Sequence, residues 1–310
     1  MYRRMLVPLD GSELSEIVFP YVRDLAVRLG IEVILFHVHG PSDGEAAALY
    51  RAYVDHKAAT VKHQVTAAGE NDIKIRGEMV NGYPAEEIVR YVTDNKVDLI
   101  LLATHGRSGI RRWLMGSVAD KVLKVAPVPV LLITATKKEG IAYDKWPRHK
   151  ILVPLDGSKL AESVLPHAEA LAREHNPEET ELVLMRVCEM IDAFGYYPPS
   201  ARFETAGGAV HVMPEELARQ QKEMQHIIAK QYLAEVKTKL GATGLKVTTV
   251  IRDGNAADEI IDYARNNPFH LIVMATHARS GISRWAYGSV AHHVLEGTES
   301  PLLLVRTHQP

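Results

Sequence analysis

The chain has 310 residues, a formal net charge of −2, 24% charged residues and 46% hydrophobic residues. This length suggests two domains, the composition is that of an ordinary globular protein, and near-neutrality gives no general electrostatic pull toward nucleic acid or an anionic membrane. A single cysteine, Cys188, excludes an internal disulfide framework.

The N-terminus opens directly on MYRRMLVPLD and shows no signal-peptide h-region. No apolar run approaches the roughly 18 residues that a membrane-spanning helix needs. A cytoplasmic protein is therefore expected, with neither nucleic acid nor membrane as partner.

Taken in order, the first half alternates strand and helix. Arg4 to Leu9 reads as a strand, and Glu13 to Leu29 as an amphipathic helix with Ser12 as N-cap. Glu32 to Val38 reads as a strand, Glu45 to Ala68 as a helix, and Lys74 to Val80 as a strand. Pro84 to Asn95 reads as a helix, with Pro84 suited to its first turn. Leu99 to Leu102 is apolar enough for a strand buried on both faces. A polar, glycine-bearing loop follows from Thr104. Gly116-Ser117 then opens a short helix over Val118 to Val125, with Ser117 at or near the N-cap, and Val128 to Ile133 is the last strand.

The second half repeats this order. Met5 to Glu16, MLVPLDGSELSE, returns as Ile151 to Glu162, ILVPLDGSKLAE. Asp98 to Ile133 returns as His270 to Val305, with more than half of the positions identical. The identities include Thr104-His105, Arg107-Ser108-Gly109, Arg112-Trp113 and Gly116-Ser117. A packed core asks only for apolar pattern and volume, so identity at polar and glycine positions points to a more specific demand. The chain divides into a first domain over 1–136, a charged linker over 137–149 and a second domain over 150–310. The second domain carries an insertion at about 189–213, rich in Gly, Pro and aromatics, which reads either as a lid or binding segment or as a plain solvent loop.

Alternating strand and helix implies a parallel sheet covered on both faces. In such sheets the crevice beyond the strand carboxyl ends is the expected ligand site. A glycine-rich loop between a buried strand and a helix N-terminus is a ready anion site, because free backbone N–H groups converge there and the helix dipole favours negative charge.

These features resemble the universal stress protein family in its tandem two-domain form. That family's nucleotide signature is a glycine, two residues, a glycine, nine residues, then Gly-Ser or Gly-Thr. The first half matches with Ala103, Gly106 and Gly116-Ser117, and the second with Ala275, Ala278 and Gly288-Ser289. The resemblance implies two α/β, Rossmann-like domains of the adenine nucleotide alpha hydrolase-like type. Each would hold a five-stranded parallel sheet of order 3-2-1-4-5. It also implies binding of ATP (or ADP or AMP) and a regulatory role in the stress response. Mg2+ or Mn2+ would sit on phosphate oxygens and water.

By resemblance, Asp10 lies near the adenosine, the backbone at Val38 contacts the base, and Ala103, Gly106, Gly116 and Ser117 line the phosphate path, with Arg107 within reach. The matching second set is Asp156, Val187, Ala275, Ala278, Arg279, Gly288 and Ser289. This second site is expected to be weaker, because Ala278 stands where Gly106 does. The fifth strands are expected to meet about a pseudo-twofold axis within one chain, and two chains to associate further as a homodimer.

The residues alone leave plainer roles open. Asp10 and Asp156 fit helix-capping turns, Gly116 and Gly288 fit tight turns, and Arg107 and Arg279 fit a solvated surface. His105 and His277 have no carboxylate or nucleophile at a telling spacing, so no catalytic residue is assigned. The 15 histidines show no metal-binding spacing, and no metal-ligating side chains are expected. The alternatives are a slow ATPase and a scaffold that binds partners without nucleotide.

Overall fold

The computed structural model describes residues 1–40, 44–70, 72–104, 115–134, 149–173, 180–189, 203–205, 208–210, 214–241, 244–267, 269–277 and 288–307. In the first half, β1 (Arg4–Pro8), β2 (Glu32–His39), β3 (Ile75–Asn81), β4 (Leu99–Ala103) and β5 (Val130–Ile133) are each followed or preceded by helix. The helices are α1 (Glu13–Glu16), α2 (Phe19–Leu29), α3 (Ala47–Ala67), α4 (Pro84–Asp94) and α5 (Ser117–Val125).

The second half repeats the pattern with β6 (His149–Pro154), α6 (Lys159–Glu162), α7 (Leu165–Arg173) and β7 (Thr180–Cys188). Inside the insertion, β8 (Phe203–Thr205) and β9 (Gly208–Val210) pair antiparallel. The rest of the second half is α8 (Pro214–Gly241), β10 (Lys246–Asp253), α9 (Ala256–Asn266), β11 (Leu271–His277), α10 (Ser289–Gly297) and β12 (Leu302–Thr307). The strand β6 begins at His149, within the expected linker; the rest of that linker lies outside the described residues.

The helix expected over Glu13 to Leu29 is two helices. Pro20 has no N–H to donate to the Glu16 carbonyl, so α1 stops at Glu16 and α2 restarts at Phe19, with the proline in its first turn. Pro166 divides α6 from α7 in the same way.

One sheet of ten strands runs through the molecule in the order β10-β7-β6-β11-β12-β5-β4-β1-β2-β3. Each half is therefore a parallel 3-2-1-4-5 sheet. The halves join where β12 pairs antiparallel with β5, Leu302 opposite Leu132, Leu303 opposite Leu131 and Leu304 opposite Val130. Strands buried on both faces explain the continuous apolar runs. Alternate residues feed two cores. Met5, Val7, Leu131 and Leu303 face one core with residues of α2, α3, α7 and α8. Leu6, Val130, Leu132 and Leu304 face the other with α4, α5, α9 and α10. Both cores cross the seam without a break, so the intrachain pseudo-dimer is a single packed body.

Polar contacts fasten the seam at its rim. The Arg306 Nη1 donates to the Lys124 carbonyl at the end of α5, at 2.6 Å. The Tyr2 hydroxyl hydrogen-bonds His167 Nδ1 on α7 at 2.7 Å. Burial holds the His167 pKa below its ordinary value of 6.5.

Two outcomes follow for stability. Leu132→Ala, at a fully buried seam position, should cost about 2–5 kcal/mol in denaturant unfolding and lower the midpoint of both halves together. His167 is more easily protonated unfolded than folded, so its contribution is complete above pH 6.5 and falls away as the pH drops below that value toward the folded pKa. His167→Gln should flatten that part of a stability-against-pH curve while leaving its high-pH limb in place.

Candidate functional site

The carboxyl ends of β1 and β4 flank a cavity of about 530 Å3 in the first half. Its lining includes Asp10, Val38, Ala103, Gly116 and Ser117. Five of the seven positions expected there thus share one cavity. The other two, Gly106 and Arg107, lie outside the described residues, as does His105.

The walls are set by backbone register. The Leu9 N–H donates to the Phe36 carbonyl at 2.8 Å, which carries β1 past its pairing with β2. The Leu9 carbonyl receives His37 Nδ1 at 2.8 Å. The buried His37 ring stacks on Tyr50 of α3, with centroids 4.3 Å apart and planes at 28°. Asp10 Oδ1 accepts from the Ser12 N–H at 2.9 Å and the Ser12 hydroxyl at 2.6 Å. Asp10 therefore shapes the turn that starts α1 and lines the cavity as well. The Gly116 N–H donates to the Thr104 carbonyl at 2.7 Å, so the end of β4 and the start of α5 are tied together.

The N-caps of α5 and α10 are Gly116 and Gly288, and neither helix has a side-chain cap hydrogen bond. Ser117 and Ser289 are the first residues inside their helices, one place later than a capping role requires. A glycine cap leaves the first-turn amides uncovered by a side chain, which suits an incoming anion.

The second half has a cavity of about 1260 Å3 in the matching place, lined by Asp156, Val187, Ala275, Gly288 and Ser289 among others. Ala278 and Arg279 lie outside the described residues. Asp156 Oδ1 accepts from the Ser158 N–H at 2.8 Å, repeating the Asp10 turn. Arg186 replaces His37 and reaches the Leu155 carbonyl through Nη1 at 3.4 Å.

At the rim of this cavity the fold assembles a cluster that the linear sequence does not announce. The Cys188 thiol, His226 and Asp253 bring one potential ligand atom each within 4.8 Å of one another. His226 Nε2 lies 2.6 Å from Asp253 Oδ1, and Lys222 Nζ lies 3.0 Å from Asp253 Oδ2. Burial pushes the Cys188 thiol pKa up. Desolvation also works to raise Asp253, but hydrogen bonds from His226 and Lys222 outweigh it and hold the carboxyl below its ordinary value.

The comparisons with known proteins fit this architecture. The model of the universal stress protein family matches twice, over residues 1–134 and 147–306. The chain belongs to the universal stress protein family. A universal stress protein of Methanocaldococcus jannaschii is 32% identical over 146 residues, 45% of this chain and 86% of the relative. One from Mycobacterium tuberculosis is 31% identical over 134 residues, 41% of this chain and 44% of the relative. The crystal structure of an Archaeoglobus fulgidus universal stress protein shares the fold over the whole length, with a TM-score of 0.63, 22% identity and 98% of each chain covered.

The two glycine caps differ in conformation. Gly116 has φ −57° and ψ 145°, which any residue adopts. Gly288 has φ 79° and ψ 145°, a region that is strained for side-chain-bearing residues. Gly288→Ala should therefore lower stability by about 1–3 kcal/mol through backbone strain, whereas Gly116→Ala meets no such strain and should cost only the smaller difference between glycine and alanine at an N-cap. Denaturant unfolding of the two variants without added ligand checks this difference.

Proposed function

We propose that this universal stress protein binds an adenine nucleotide in the cavity of its first half and acts as a cytoplasmic regulatory protein, not primarily as an enzyme. The observation that carries the reading is the convergence of Asp10, Val38, Ala103, Gly116 and Ser117 on one cavity. Those five come from the ends of three parallel strands and the start of a helix without a side-chain cap. The volume of about 530 Å3 lies within the range of small-molecule sites. In this reading the adenosine lies between Asp10 and the end of β2, and the phosphates run toward the first turn of α5. ATP fits this direction best, because a longer anion gains more from the helix N-terminus. A Mg2+ or Mn2+ ion would be held by phosphate oxygens and water.

The second cavity is proposed as the weaker nucleotide site. It is more than twice as large, so a nucleotide of the same size leaves more of its surface unburied there. Arg186, Cys188 and the nearby Asp253 and His226 also give it a chemistry of its own.

The test is isothermal calorimetry with Mg-ATP on the wild type, Gly116→Val and Gly288→Val. The ordinary φ at Gly116 puts no backbone strain on that variant, and a thermal midpoint verifies its folding, so that its effect reads on the ligand path. Gly116→Val should weaken the tighter site at least tenfold, which corresponds to about 1.4 kcal/mol, and Gly288→Val should leave it in place. Unchanged binding in a folded Gly116→Val protein, or loss only in a folded Gly288→Val protein, would place the tight site elsewhere.

A further inference from the structure

We propose that Cys188, His226 and Asp253 form a zinc site at the rim of the second cavity, with one coordination position open toward that cavity. The inference does not depend on nucleotide binding in the first half. It rests on how the fold brings three ligand types together. Cys188 and Asp253 are the last residues of β7 and β10 and stand opposite each other in the parallel ladder. The Gly254 N–H donates to the Cys188 carbonyl at 3.1 Å and fixes the point where the two strands end. His226 reaches them from α8, whose lower turns pack Leu233, Val236 and Leu240 into the core beneath. Three segments far apart in sequence thus present sulfur, nitrogen and oxygen within 4.8 Å of one another.

That donor set favours zinc over the harder cations. Thiolate and imidazole are zinc ligands, while Mg2+ and Ca2+ prefer all-oxygen sites. Zinc bonds of about 2.0–2.3 Å place tetrahedral ligand atoms about 3.3–3.6 Å apart. No separation exceeds 4.8 Å, so none has to close by more than about 1.5 Å, and the 2.6 Å contact between His226 and Asp253 has to open. Both changes are side-chain adjustments at the rim, since the His226 and Asp253 side chains are 39% and 28% exposed.

On binding, the Cys188 thiol gives its proton to solvent and the thiolate takes the metal. His226 binds through Nε2, with its remaining proton on Nδ1. Asp253 contributes Oδ1 and keeps Lys222 on Oδ2, a contact at 3.0 Å that orients the carboxylate from outside the coordination sphere. The Lys222 ammonium opposes a second cation nearby, and the Cys188 thiolate offsets that repulsion. Three protein ligands leave the fourth position to water or to an anionic group in the cavity that Cys188 lines. The matching strand-end pair in the first half is His39 and Asn81, joined by a hydrogen bond of 3.1 Å. An amide stands there in place of the carboxylate, so that half takes no part in the site.

The experiment uses the full-length chain stripped with a chelator and titrated with Zn2+ and, as a spectroscopic probe, Co2+. The chain holds one cysteine among 15 histidines. A thiolate-to-cobalt charge-transfer band can therefore arise only at Cys188, whatever the histidines bind. The expected result is one zinc per chain, a cobalt band that saturates at the same ratio, loss of that band in Cys188→Ser, and at least tenfold weaker binding in His226→Ala and Asp253→Asn. Thermal midpoints of the metal-free variants verify folding, and the wild-type titration stands without any variant. Saturating cobalt without the thiolate band, or binding by His226→Ala and Asp253→Asn equal to wild type, would overturn the proposal.

Discussion

The antiparallel pairing of β5 with β12 is the constraint on which the rest of the molecule depends. Each half ends its parallel sheet in a short apolar strand, and such an edge needs a partner. The seam supplies it within the chain, Leu131 and Leu132 facing Leu303 and Leu302. Because the pairing is antiparallel, the strand carboxyl ends of the two halves point in opposite directions. The two cavities therefore open at opposite ends of the same sheet. Both cores run through the seam, so the two halves share their packing.

The fold is legible in the sequence because a strand buried on both faces has to be a continuous apolar run, and these runs alternate with amphipathic helices. The repeat of LVPLDGS and of the Asp98 to Ile133 stretch is enough to establish the tandem arrangement. What the pattern hides is local. Pro20 and Pro166 divide helices whose apolar spacing runs on across the break. The glycine, not the serine, caps α5 and α10, since both residue types favour that position and only the backbone angles separate them. The candidate cavity is legible through the strand ends. Gly106, Arg107, Ala278 and Arg279, which the sequence also suggests for the two sites, lie outside the described residues. His37 and Tyr50 carry no signal of their own, because their stacking joins β2 to a helix that the sequence places only by length and alanine content. The Cys188 cluster is hidden for a similar reason: register between β7 and β10 and the position of α8 decide it, and neither is written in residue spacing.

The two halves keep one scaffold and change the side chains at its rim. Asp10 and Asp156 shape the same turn, and Gly116 and Gly288 cap the same helix. At the end of the second strand, however, His37 and His39 give way to Arg186 and Cys188. A duplicated fold can hold the seam fixed, because the cores cross it, while each rim varies with little effect on stability. That separation accounts for a shared polar turn beside two cavities of different volume and donor chemistry.

The proposal that the first cavity holds an adenine nucleotide can be tested on the protein as it is purified. The most direct measurement is the nucleotide content of the freshly purified protein, released by denaturation and identified by mass spectrometry, followed by reloading of the emptied chain. The expected result is an adenine nucleotide, with ATP rebinding in the presence of Mg2+. A purified chain that releases no nucleotide and takes up none at millimolar ATP would contradict it.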